Sequence, residues 1–137
     1  MDKRLYKGSF FKHFMIIYDP REDGKVWHKL IDVLFIGVIA TLCGFNEWED
    51  MEIWAIKREE WLKKYVELPN GIPSDSTIRR VFDFIDPKQF EKCFTEWMKE
   101  IVQISKGTVV AIDGKTMRGT ADESMGKKAI HIVSAWC

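Results

Sequence analysis

Thr108-Val109-Val110-Ala111-Ile112-Asp113-Gly114-Lys115 is the stretch on which the reading of this chain turns. Four apolar residues run into one carboxylate, and a glycine follows at once. Val109, Val110 and Ile112 favour a pleated strand, and a short unbroken apolar run suits a strand covered on both faces. An aspartate at the end of such a strand is costly to bury unless a cation or a donor satisfies it. Asp113 then reads as a metal-binding carboxylate on a rigid element. The competing reading is that Asp113 opens a turn that Gly114 completes, since Asp-Gly is a common turn dipeptide. Spacing alone leaves both open.

Past this strand, residues 114–128 are polar, with Gly119 and Gly126 among the charges, and suit the tip of a hairpin. Ala129 to Trp136 then forms a second strand, apolar on both faces. Upstream, the pattern is helical throughout. Asp86 caps and Pro87 opens a helix in which Phe90, Cys93, Phe94, Trp97, Met98, Ile101 and Ile104 recur at three and four, and Lys106-Gly107 closes it. Ser74 or Asp75 caps a preceding helix with Ile78, Val81, Phe82 and Ile85 inward and Ser76, Thr77, Arg79 and Arg80 outward. Small polar groups at a helix start beside two arginines are suited to phosphate or base edges, and equally to an ordinary solvated face.

Further back, Leu68 to Pro73 is a loop. Asn46, with Glu49 three residues on, marks a helix start whose Trp48, Met51, Ile53, Trp54 and Ala55 point to the core. Lys57 to Glu60 is a charged break before a short helix carrying Trp61, Leu62 and Tyr65. Trp27 to Cys43 reads as a central helix, apolar almost all round, with Gly44 ending it and His28 packed or capping at its beginning. Asp19 to Gly24 is a break, either a plain surface loop or a charged loop near a ligand. Before it, Phe10, Phe11, Phe14 and Tyr18 fit one or two helical turns.

The chain's 137 residues suit one core, and 21 basic residues balance 21 acidic ones, so no global basic field announces nucleic acid. Any such contact must come from a local patch. Six tryptophans and nine phenylalanines argue for a real core. Cys43, Cys93 and Cys137 lack metal-ligand or disulfide spacing, which suits a reducing, cytoplasmic compartment. The start shows no signal-like region. The longest apolar run, Leu30 to Cys43, is shorter than the roughly 20 residues that a bilayer requires, so no membrane is expected.

Taken together, the pieces resemble the H-repeat-associated proteins, a family of insertion-sequence transposases of the DDE type. The resemblance rests on Tyr18-Asp19-Pro20-Arg21, the His28 to Gly44 helix, Asn46 to Asp50, Asn70-Gly71-Ile72-Pro73, Asp75 to Val81, Cys93-Phe94 with Trp97, Ala111 to Thr116 with Arg118, and His131-Ile132-Val133-Ser134-Ala135. These pieces stand in the family's order over nearly the whole chain. The run through Asp113 followed by the His131 segment is the specific part, and it favours the metal reading of Asp113.

The resemblance implies an α+β chain. A mainly α-helical transposase-associated domain (residues 1–106) precedes the first β-hairpin of a ribonuclease-H-like catalytic domain (residues 107–137, incomplete). Asp113 would be the first of three carboxylates holding two Mg²⁺ or Mn²⁺ ions, which activate a nucleophile and stabilise the leaving oxygen of a DNA phosphodiester. Lys115 and Arg118 would lie near DNA phosphate. The expected partners are transposon-end DNA and, in some arrangements, a second copy in a homo-oligomer. The family's second aspartate and its glutamate fall beyond Cys137, and Asp122 and Glu123 match no family motif. Catalysis by this chain is therefore not expected, and a non-catalytic DNA-binding or oligomerising module is the alternative. Ser74-Asp75-Ser76-Thr77 also departs from the family, which usually has a histidine before the Asp-Thr of that helix.

Overall fold

The structure, a computed structural model, describes residues 4–21 and 26–104. The strands read at 108–112 and 129–136, the intervening hairpin tip, the closure at Lys106-Gly107, and Asp113, Lys115 and Arg118 lie outside the described residues. Those described form six helices: α1 (Ser9–Phe14), α2 (Leu30–Leu42), α3 (Trp48–Lys57), α4 (Glu59–Leu62), α5 (Asp75–Phe84) and α6 (Pro87–Ile104). No strand occurs among them.

α2 is the axis of the fold. Ten of its thirteen residues are buried, as a sequence apolar on every side requires. α3 and α5 pack against it and against each other, while α1 bridges α2 and α6. The Phe35 ring stacks on Phe11 at 5.1 Å and meets the edge of Phe10 at 5.2 Å. Phe10 in turn stacks on Phe14 at 4.3 Å and stands edge-on to Trp97 at 5.1 Å. The aromatic load thus becomes one connected core from α1 through α2 to α6. Polar contacts fix the register of α1 on α6: Trp97 Nε1 donates to Ser9 Oγ at 3.0 Å, and His13 Nε2 lies 2.7 Å from Glu100 Oε2.

Helix ends obey local chemistry. Gly44, at φ 99°, ends α2: its N–H donates to Thr41 and that of Phe45 to Ala40, which satisfies carbonyls the helix itself cannot pair. Ser74 Oγ accepts the Thr77 N–H at 3.3 Å and caps α5. Asp86 Oδ1 accepts the Lys88 N–H at 3.0 Å and caps α6.

Three expectations are corrected. α2 starts at Leu30 instead of Trp27, because Lys29 is extended and Asn70 Nδ2 holds the Trp27 carbonyl at 2.6 Å outside any helix. α3 starts at Trp48 after Glu47, without a side-chain cap from Asn46. Ile53 faces solvent, because α3 buries Met51, Trp54 and Ala55, and at about 100° per residue position 53 falls on the opposite side.

One polar group lies deep in the core. Asp32, in the first turn of α2, is 1% exposed. Its Oδ1 accepts from Tyr6 Oη at 2.7 Å and its Oδ2 from the Leu68 N–H at 3.1 Å. Tyr6 Oη also accepts the Glu67 N–H at 3.0 Å. Tyr6 (φ 60°) and Leu68 (φ 47°) are the only non-glycine residues with positive φ among those described. The carboxylate thus pins both strained segments to the central helix, and its bonds offset the cost of the unusual backbone.

Candidate nucleic-acid interface

α5 carries the sequence-predicted contacts that the structure describes: Ser76, Thr77, Arg79 and Arg80. Its cap and its apolar side fix their orientation. Ile78 and Val81 are buried against the core, so the four polar residues turn outward. Ser76, Arg79 and Arg80 are exposed and Thr77 is half-buried.

The amides at the start of α5 are already engaged. Glu52 Oε1 accepts the Asp75 N–H at 2.8 Å, Asp75 Oδ1 accepts the Ser76 N–H at 2.7 Å, and Ser74 takes that of Thr77. Two carboxylates therefore occupy the positive end of the helix, and anion contact on this face falls to side chains. Arg79 faces Asp83 one turn on, at 3.8 Å. Arg80 Nε donates to the Ser76 carbonyl at 3.3 Å, and no carboxylate pairs with it among the described residues.

Arg80 and Thr77, one helical turn apart, line a cleft of about 590 Å³ together with Arg21, Trp27, His28 and Phe84. The sequence marks Asp19–Gly24 as either a plain loop or a charged loop near a ligand, and Arg21 does reach this cleft. Asp19 holds Arg21 through both carboxylate oxygens at 2.9 Å, a fork-to-fork pair that fixes the guanidinium, and Arg21 keeps the Asp19 carboxyl below the usual carboxylate range. The structure adds Trp27 and Phe84 to the face. Neither was legible in the sequence, where Trp27 reads as the start of a buried helix. His28 packs as expected, and burial, with Arg21 nearby, pushes its imidazole below the usual histidine range. Three stretches that carry the family resemblance, at Arg21, at His28 and at Thr77–Arg80, converge here from distant parts of the chain.

Asp113, the expected metal ligand and catalytic residue, lies outside the described residues with Lys115 and Arg118. Among the described residues, no group of three or more His, Cys, Asp or Glu is placed to hold a metal ion. Cys43 and Cys93 form no disulfide among the described residues, and burial pushes the thiol of Cys93 up. No helix among the described residues is long and apolar enough to cross a membrane.

The family model described as DDE_Tnp_1-associated matches residues 11–98, which hold most of the helical core. The chain belongs to that family. Its relatives include "Putative transposase YncI" of Escherichia coli O157:H7, 49% identical over 93% of this chain and 33% of that protein. "H repeat-associated putative transposase YhhI" of Escherichia coli K12 is 41% identical over 93% of this chain and 34% of that protein. "Inactive transposase YbfQ" of the same strain is 40% identical over 53% of this chain and 87% of that protein. The chain spans a third of the first relative and about half of a second YncI protein, from strain K12. No solved structure matches it. The family description gives the helical domain a transposase-associated role.

Proposed function

We propose that this chain is the N-terminal part of an H-repeat DDE transposase, and that its helical domain engages transposon-end DNA through the outward face of α5. The family match over residues 11–98 carries this reading, and the transposase relatives at 41% and 49% identity support it. The reaction class is metal-dependent cleavage and joining of DNA strands. Asp113 supplies the first of three carboxylates, and Mg²⁺ or Mn²⁺ is the ion such a hard oxygen donor suits. Lys115 and Arg118, close in sequence to Asp113, add phosphate contacts. In the helical domain, Arg80 and Arg79 hold phosphate while Ser76 and Thr77 donate hydroxyls.

The experiment is a titration of duplex DNA from an element's end, with affinity followed against salt. Phosphate contacts give a steep log–log slope. Replacing both arginines (Arg79→Ala with Arg80→Ala) lowers that slope by about two. An unchanged slope refutes the α5 contact, and no binding by the unaltered chain refutes DNA engagement altogether.

A second reading, a DNA-binding module without catalysis, is favoured by one observation. Ser76, Thr77, Arg79 and Arg80, the contact residues that the structure describes, all lie on α5, well before Asp113 in the sequence. DNA binding without strand cleavage in Mg²⁺ or Mn²⁺ supports it, and nicking that disappears in Asp113→Asn supports the catalytic reading.

A further inference from the structure

We propose that the cleft between the Trp27–His28 segment and α5 binds an unpaired stretch of DNA, with a base laid against the exposed rings and its phosphate on Arg80. The inference rests on the reading that this chain acts on DNA, and it names the form of DNA that this face takes.

Trp27 is 68% exposed and Phe84 is 60% exposed, yet both line the same cleft as Arg80. Large aromatic rings left in water beside a cation make a surface complementary to nucleobases, whose faces are apolar and whose backbone is anionic. In a paired duplex those faces are hidden in the stack. A strand with unpaired bases presents them to the rings and its phosphate to the cation.

The cleft is built in advance. The Trp27 carbonyl is held by Asn70 Nδ2, and the two oxygens of Asp19 fix Arg21. The Ser76 carbonyl receives Arg80 Nε. His28 is 8% exposed, and its ring makes no hydrogen bond among the described residues. No fully buried side-chain nitrogen or oxygen is left unpaired among those residues, so the imidazole edge opens onto the cleft it lines. An unpartnered, largely buried ring of this kind is equipped to hydrogen-bond an incoming base. The volume of the cleft, about 590 Å³, falls within the roughly 300–1,000 Å³ of sites that take small organic groups.

The test compares a fluorescein-labelled oligothymidylate with a duplex of equal length, each titrated with the full chain at several salt concentrations. The unaltered chain is expected to bind the single strand more tightly. Trp27→Ala and Phe84→Ala, changes at exposed positions, each weaken single-strand binding about tenfold, in keeping with base–aromatic stacking, and leave duplex affinity within about twofold. Arg80→Ala weakens both ligands and flattens the salt dependence of both. Single-strand affinity unchanged by loss of both rings overturns the proposal, as does equal affinity for the two DNA forms. Neither result touches duplex engagement by α5, whereas failure to bind either form overturns that wider reading as well. Circular dichroism of each variant shows that the helices remain, and Trp27→Phe, which keeps a ring, restores most of the single-strand affinity.

Discussion

Asp32 is the most deeply buried polar residue among those described. Burial pushes its carboxyl above the usual carboxylate range, while the bonds from Tyr6 and Leu68 pull it back in part. The folded chain therefore holds this proton at pH values where the unfolded chain, ionising near 3.8, has released it. The state that binds more protons gains as pH falls. This group's contribution to stability thus falls as pH rises from about 3.8 to its raised folded value, and levels off above it. The His28 shift runs the other way in its own window: the unfolded ring is protonated up to about 6.5 and the folded ring is not, so stability is lost as pH drops below that value. Urea unfolding across pH should show both slopes, with Asp32→Asn removing the first and His28→Gln the second. Asp32→Asn also replaces one of the two acceptors by a donor, so that either Tyr6 Oη or the Leu68 N–H loses its acceptor. Its expected cost near neutral pH is about 1–3 kcal/mol, the usual effect of leaving a buried polar group unpaired.

Among the elements, α2 and α5 meet at a glycine. A Cβ on Gly37 would stand 2.6 Å from Phe82 Cζ and closer still to Cε2. The Phe82 ring must then shift against Trp48 and Phe90, 5.9 and 5.7 Å from it, or into the apolar cleft of about 330 Å³ that it lines with Gly37. Gly37→Ala is expected to destabilise the fold by about 1–3 kcal/mol, the range for overpacking, measured by urea unfolding. Combined with Phe82→Leu, the loss should be smaller than the sum of the two single changes, because the second removes the obstacle to the first. At the other end of α5, Ser74→Ala deletes the cap and should cost about 1 kcal/mol. It should also blunt DNA binding if α5 presents the contact face, since fraying begins beside Thr77.

At the scale of the whole molecule, the described helices share one connected hydrophobic core, running from Phe10 to Ile101. A chain ending at Lys106 is therefore expected to keep its helical circular dichroism and a single cooperative thermal transition. A broad, non-cooperative melt would mean that the helical domain depends on residues 107–137. The elements of that core could be read before any coordinates. The three-and-four spacing of Phe90 to Ile104, the caps at Ser74 and Asp86, the glycine stop at Gly44 and the all-round apolarity of α2 each express local chemistry, and each appears where that chemistry places it. The family could be read in the same way, through motifs whose identities survive without coordinates. Packing alone settled which side of a segment faces water and which distant side chains share a surface. Ile53 and Trp27 are as apolar as their buried neighbours and turn outward because α3 and the Asn70 contact orient them. Asp32 looks like an interruption in an apolar run until Tyr6 and Leu68 arrive from 26 and 36 residues away. Arg21, His28 and Arg80 form one cleft for the same reason: periodicity reports a residue's own helix, while a site is assembled by the packing of several.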